Sequence, residues 1–326
     1  MKPTYSTEKV QIYQGHCLDI VRSLPSRSID AIVTSPPYWN QRNYKSAPQV
    51  WCQGRDVKCD HQWIESTTYV AGGAGLGSHR YHAAGPENAD RVRKTRHKKS
   101  STCSVCGAWL GELGQEPTPA LYQAHLMLLF EELYRVLKPQ GVMWLNIGDG
   151  TCGSTQFRGK GLNLVPQRMA IALADSGWCV RSEVVWAKPN PSPEAVDDRP
   201  STAWEPVFML TKSQKYYFDK SILESIAADG AKGANHARNV WSIPTAHVQG
   251  HIAPFPRMLA LLCILSSCPL DGIVLDPFAG SGTVLSVAQE YGRNAIGIEL
   301  NQPAVNLCIE SVRQLPLPLP GLKVRA

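Results

Sequence analysis

The chain has 326 residues, 43% of them hydrophobic and 18% charged, with a formal net charge of +6 at pH 7. That is a globular composition with ample core-forming material, which excludes a disordered chain and fits one large α/β domain with an insert, or two domains. The opening MKPTYSTEKVQIYQGH has no apolar signal core, and MLALLCILSSC (258–268) is too short to span a bilayer. A soluble, cytoplasmic protein without membrane contact is therefore expected, its ten cysteines serving as thiols or metal ligands.

Residues 10–34 read as strand, helix and strand, and the second strand runs into IDAIVTSPPYWNQ (29–41). Two consecutive prolines cannot donate to a sheet ladder, so the strand must stop there. The carboxyl end of a strand is where open α/β sheets bind ligands. Tyr38 offers a ring to stack on a planar base, while Ser35 and the Pro36 carbonyl, with Pro37 behind them, offer acceptors for an exocyclic amine. A purely structural turn is the alternative at this point.

From 41 to 116 the periodicity collapses. This stretch holds eleven Lys/Arg against seven Asp/Glu, and RVRKTRHKK (91–99) gathers Arg91, Arg93, Lys94, Arg96, Lys98 and Lys99. Such a run is either a solvated loop or a set of phosphate contacts. The glycine cluster AGGAGLGS (71–78) follows no buried strand and reads as a flexible loop. A segment this long needs an organising device. Cys59, His61, Cys103 and Cys106 offer three thiols and an imidazole, the donor set of a closed tetrahedral zinc site, with Cys52 as an alternative ligand and plain reduced cysteines as the competing reading.

A helix is expected from Thr118, a capping residue, with Pro119 in its first turn and Pro139-Gln-Gly141 as its stop. A strand (141–149), a helix (VPQRMAIALADSG) and two further strands follow. The last third closes with IVLDPFAGSGTVLSVAQEYGRNAIGIELN (273–301): strand, glycine turn, helix, and a strand ending in Glu299. Gly280 and Gly282 let the backbone approach a ligand at a helix N-terminus. Glu299 stands where a carboxylate can bind both hydroxyls of a ribose. An adenosine-type site follows, without the Walker lysine of an ATP site or the usual dinucleotide fingerprint.

TSPPY combined with DPFAGSGT, and in that order, resembles the beta class of exocyclic-amino DNA methyltransferases that use S-adenosylmethionine. GHCLD (15–19), VVWAKPNPSP (184–193), NVWSIP (239–244) and HIAPFP (251–256) support the resemblance. It implies a Rossmann-like class I methyltransferase, a mostly parallel twisted sheet with helices on both faces, formed by 1–40 and 117–326. The inserted 41–116 would be basic, zinc-binding and DNA-contacting, or a mere shield of the site; 220–245 would be a short target-recognition segment. By the same correspondence Ser35, Pro36, Pro37 and Tyr38 are catalytic, while Asp276, Phe278, Gly280, Gly282 and Glu299 bind the cofactor. His16 departs from the family, where many members carry Asp beside the cofactor adenine. A serine opening the tetrapeptide goes mostly with cytosine-N4 methylation of a flipped base in double-stranded DNA; adenine-N6 is the runner-up. RNA or protein methylation, or an inactive DNA-binding module, are the readings from other classes. The resemblance further implies bacterial or phage origin, and makes a homodimer and a cognate restriction nuclease expectations that no segment of the sequence displays.

Overall fold

The computed structural model describes residues 1–52, 59–70, 96–152, 161–191, 193–194, 197–228, 237–246 and 255–314. Strands β1 (Tyr5–Ser6) and β2 (Val10–Gln14) lead into helix α1 (Cys17–Ser23) and strand β3 (Ile29–Thr34). Four strands follow where no periodicity was legible: β4 (Gln49–Trp51), β5 (Trp63–Val70), β6 (Arg96–Cys103) and β7 (Trp109–Gly111). Helix α2 (Pro119–Val136) and strand β8 (Leu137–Asn146) restore the alternation, followed by β9 (Thr151–Cys152), β10 (Gly161–Leu162), α3 (Val165–Asp175), β11 (Cys179–Ala187) and β12 (Trp204–Thr211). The chain continues through α4 (Lys220–Ala228), β13 (Val240–Ser242), α5 (Arg257–Ser267), β14 (Ile273–Asp276), α6 (Thr283–Glu290), β15 (Asn294–Glu299) and α7 (Gln302–Arg313).

Nine strands form one sheet in the order β1-β2-β15-β14-β3-β8-β12-β11-β13. The run β2, β15, β14, β3, β8 is parallel throughout, and β12 is antiparallel to both its neighbours. From β14 the chain crosses over α6 to β15 on one side; from β3 it crosses over α2 to β8 on the other. The order thus reverses between β14 and β3, and the crevice at their carboxyl ends is the place where such sheets bind ligands. Helices α5, α6 and α7 pack on one face of the sheet, α1, α2 and α3 on the other. Every residue of α5 from Leu259 to Ser267 is buried, which is why that stretch lacks a polar face.

Thr118 caps α2 as expected, its hydroxyl accepting from the Leu121 N–H at 3.2 Å. The stop was misplaced. The helix ends at Val136, and Pro139, Gln140 and Gly141 lie inside β8. Lys138 precedes a proline and is pushed into extended backbone, so the strand starts before the glycine; its ammonium is bound by both Asp30 oxygens at 2.8 Å.

Within 49–111 the described residues form an antiparallel sheet of order β4-β7-β6-β5. Trp51 and Trp109 are register partners across β4 and β7. Their rings flank His125 of α2, with centroids 5.3 and 5.2 Å away and planes within 21° and 24° of parallel. His125 is fully buried and lies 3.0 Å from Glu116, also fully buried, so the inserted sheet shares a core with the main one. Among the described residues no helix is long and apolar enough to cross a membrane.

Candidate functional site

The two crevice loops, after β3 and after β14, line one cavity of about 860 Å³, within the range of small-molecule sites. Ser35, Pro36, Pro37 and Tyr38 line it together with Asp276, Phe278, Gly280 and Glu299. Gly282 is not in the lining; it is the N-cap of α6, with a φ of +83°. A β-carbon there would stand 2.8 Å from the Cys308 sulfur and 3.0 Å from its Cα, so only glycine fits.

The tetrapeptide is held from behind. The Tyr122 hydroxyl of α2 donates to the Pro37 carbonyl at 2.8 Å, and the Asn40 N–H donates to the Gly114 carbonyl at 2.8 Å. Gly114 in turn donates its N–H to Glu116, whose other oxygen meets His125. Among the described residues the Pro36 carbonyl accepts no hydrogen bond. The Tyr38 ring lies over Gly148, where a β-carbon would come within 2.5 Å of it. Its hydroxyl lies 2.7 Å from Glu205 Oε2, 2.9 Å from Asn146 Oδ1 and 3.3 Å from Ser35 Oγ. Asn146 donates to Glu205 at 3.2 Å, and the other Glu205 oxygen pairs with the Lys188 ammonium. Burial, reinforced by the Glu205 charge, pushes the Tyr38 phenol well above its ordinary value, so it stays protonated.

On the other side of the cavity, Glu299 accepts from the N–H groups of Gly280, Leu300 and Asn301 at 3.0, 2.9 and 2.8 Å. Three backbone donors fix its direction and leave lone pairs for ligand hydroxyls. Asp276 is 4% exposed and accepts from Thr34 Oγ1 at 2.8 Å and the Phe278 N–H at 3.0 Å. Burial nevertheless pushes its carboxyl up to about 7. His16 also lines the cavity, its ring edge-on to Trp51 at 4.6 Å, and burial lowers its basicity despite Asp19 beside it.

Cys59, His61, Cys103 and Cys106 converge, with all four ligand atoms within 4.8 Å of one another; Cys52 is not among them. The Cys59 and Cys103 sulfurs are 3.7 Å apart, and Cys106 Sγ is 3.4 Å from His61 Nδ1. Tetrahedral zinc with bonds of about 2.3 Å to sulfur sets its sulfurs about 3.8 Å apart, so the donor set and its spacing fit that ion. The Val105 N–H, 3.4 Å from Cys103 Sγ, adds the kind of backbone support a ligating thiolate takes. Of the basic run, Arg91, Arg93 and Lys94 lie outside the described residues; Arg96, Lys98 and Lys99 stand on β6, in register with Val70, Thr68 and Thr67.

Asn146, Lys188 and Glu205 escaped the sequence reading. Lys188 sits within VVWAKPNPSP, a stretch singled out without a role, and Glu205 carried no signal beyond an acid at the start of a strand.

Set against known proteins, the family model N6/N4 methyltransferase, described as DNA methylase, matches residues 29–310. The type II methyltransferase M.Cfr9I of Citrobacter freundii is 32% identical over an alignment of 326 residues, covering 93% of this chain and 87% of its own. Among solved structures, the PvuII DNA methyltransferase (cytosine-N4-specific) superposes with a TM-score of 0.63 at 18% identity, over 95% of this chain and 88% of that one. A DNA modification methylase of Thermus thermophilus, solved in complex with S-adenosyl-L-methionine, gives 0.56 at 20% identity over 94% and 95%. At those identities the two structures share the fold: a mostly parallel sheet with helices on both faces.

Proposed function

The chain belongs to the N6/N4 DNA methylase family, and from that premise we propose that it moves the methyl group of S-adenosyl-L-methionine to the exocyclic amine of a cytosine in double-stranded DNA, giving N4-methylcytosine. The observation that carries this reading is the meeting of the tetrapeptide and the glycine turn in one cavity. Glu299 would hold the ribose hydroxyls, while Gly280, Phe278 and Asp276 line the rest of the cofactor's bed and Gly282 shapes the turn beneath it. The target base would be flipped out of the duplex and stacked on Tyr38. Its amine would be held by Ser35 Oγ and the Pro36 carbonyl, which orient the nitrogen lone pair toward the methyl carbon. The protein's part is then alignment and polarisation rather than covalent chemistry. Methyl incorporation from labelled cofactor into duplex DNA, with RNA and protein as competing acceptors, tests the class; label found in RNA or protein alone would overturn it.

Asp276 makes cofactor binding pH-dependent. S-adenosylmethionine brings a sulfonium and an ammonium, and nearby positive charge favours the carboxylate. Binding is expected to expel a proton from Asp276, so affinity rises as pH climbs from about 6 to about 8. In the cofactor-free protein the same raised value acts the other way: stability is fullest below the ordinary carboxyl range and falls as pH rises through about 7. Calorimetry in two buffers of different ionisation enthalpy reads the proton directly. Equal heats in both, or an unchanged proton count in Asp276→Asn, would contradict this role.

The Cys/His cluster is proposed to hold one structural zinc ion through Cys59, His61, Cys103 and Cys106, stabilising the four-stranded sheet. The basic run would bind DNA phosphates, and the type II relatives make a restriction nuclease of the same specificity the matching partner. Replacing Arg93, Lys94, Arg96 and Lys98 with alanine is expected to weaken binding to all sequences alike. Each lost phosphate contact should also reduce the slope of log affinity against log salt by about 0.9. An unchanged slope would leave this segment as a shield only.

A further inference from the structure

We propose that Glu205 is the terminal acceptor of the proton that the target amine sheds, reached through Ser35 and Tyr38. This rests on the amine-methylation reading above and adds a residue and a proton route to it.

The hydrogen bonds run in one direction. Ser35 Oγ donates to the Tyr38 hydroxyl at 3.3 Å, and that hydroxyl lies 2.7 Å from Glu205 Oε2, the shortest contact it makes. Ser35 oxygen therefore keeps lone pairs free to accept an amine N–H. Glu205 is fixed at the far end by Asn146 Nδ2 on one oxygen and by the Lys188 ammonium on the other. Lys188 itself lies 4.6 Å from the Trp186 ring centroid, a second restraint on its place. All of Ser35, Tyr38, Asn146, Lys188 and Glu205 line the one cavity.

The chemistry requires an acceptor. As the amine nitrogen bonds to the methyl carbon, the carbon–sulfur bond breaks, and its electron pair leaves on sulfur as a neutral thioether. The nitrogen then carries the positive charge and an N–H that is far more acidic than any carboxylic acid. Its proton passes to Ser35 Oγ, the serine proton to Tyr38 and the phenol proton to Glu205, each oxygen ending with the proton count it began with except the carboxylate. Serine opens the tetrapeptide, so the loop itself contains no carboxylate to take that proton. Asp276, at the end of the neighbouring strand β14, bonds to Thr34 instead. Glu205 can release the proton afterward, since its side chain is 19% exposed. A role confined to anchoring the Tyr38 ring would need only an acceptor, which glutamine supplies equally well.

That difference defines the test. Single-turnover methyl transfer is measured in H2O and D2O for the full-length wild type, Glu205→Gln and Tyr38→Phe, with DNA and cofactor affinities measured on each. The relay predicts a wild-type solvent isotope effect above one with more than one proton in flight. It predicts a loss of about 100-fold or more in rate for both variants, at unchanged affinities and with the multi-proton signature gone. Wild-type transfer combined with an unslowed Glu205→Gln, or with affinity lost in step with rate, would overturn the relay and leave the methylation reading standing. A wild type that methylates no DNA would overturn both.

Discussion

Tyr38→Ala should lower the rate of methyl transfer by about three orders of magnitude while leaving cofactor affinity intact. Base–aromatic stacking contributes about 1–3 kcal/mol per base, and a target displaced by roughly an ångström costs about 100-fold more in a reaction that depends on alignment. The side chain has no slack to compensate. Its ring fills the space over Gly148 and its hydroxyl is tied to Glu205, Asn146 and Ser35, so alanine leaves a void and unlinks three polar groups. The cofactor bed does not share that loss, because Glu299 is held by the backbone N–H groups of Gly280, Leu300 and Asn301 and makes no bond to Tyr38. Single-turnover rates beside a cofactor titration separate the two effects. A variant within tenfold of wild type would remove Tyr38 from the chemistry.

Stripping metal from the Cys/His cluster should have the larger effect on structure. Structural zinc sites in small modules carry apparent binding free energies of about 10–16 kcal/mol, comparable to the about 5–15 kcal/mol that stabilises a whole domain. Two strands of the sheet β4-β7-β6-β5, β4 and β7, are only three residues long, and Cys103 and Cys106 bracket the turn from β6 toward β7. Removing the ion leaves three thiols and an imidazole crowded together with no partner that binds them as strongly. The loss then reaches the active site, since Trp51 and Trp109 grip His125, and the His125–Glu116 pair supports Gly114 behind the tetrapeptide. Elemental analysis should find one zinc per chain, and chelation or Cys103→Ser should speed hydrogen exchange in β6 and β7 before it does so in β14 or β15. Metal-free protein with unchanged exchange would reduce the cluster to ordinary reduced cysteines.

The parts of the site that were legible in the sequence are those whose chemistry is local. Consecutive prolines end β3 wherever the rest of the fold lies, and the glycine turn with an acid nineteen positions beyond Gly280 reports a strand–turn–helix–strand unit by itself. The helix cap at Thr118 is equally local. What was hidden depends on which strands become neighbours. Glu205 reaches Tyr38 because β12 lies antiparallel beside β8, and the segment between them says nothing of that order. The inserted sheet was hidden for the same reason: β5 pairs with β6 across a separation that puts Trp63 opposite Cys103, and the three-residue strands β4 and β7 leave little periodicity to read. The flanking of His125 by two tryptophans arises only after β4 and β7 pair and dock on α2. Pro139 misled because a proline ends a helix at or before the residue preceding it, and here the strand had already begun.

The most direct test of the site's chemistry is the identity of the methylated base. Wild-type protein is given labelled S-adenosyl-L-methionine and duplex DNA of mixed sequence, the DNA is digested to nucleosides, and mass spectrometry locates the label. Ser35 at the head of the tetrapeptide, with the Pro36 carbonyl beside it, predicts label on N4-methylcytosine. Label on N6-methyladenine would contradict that assignment of the target base while leaving the cofactor site in place.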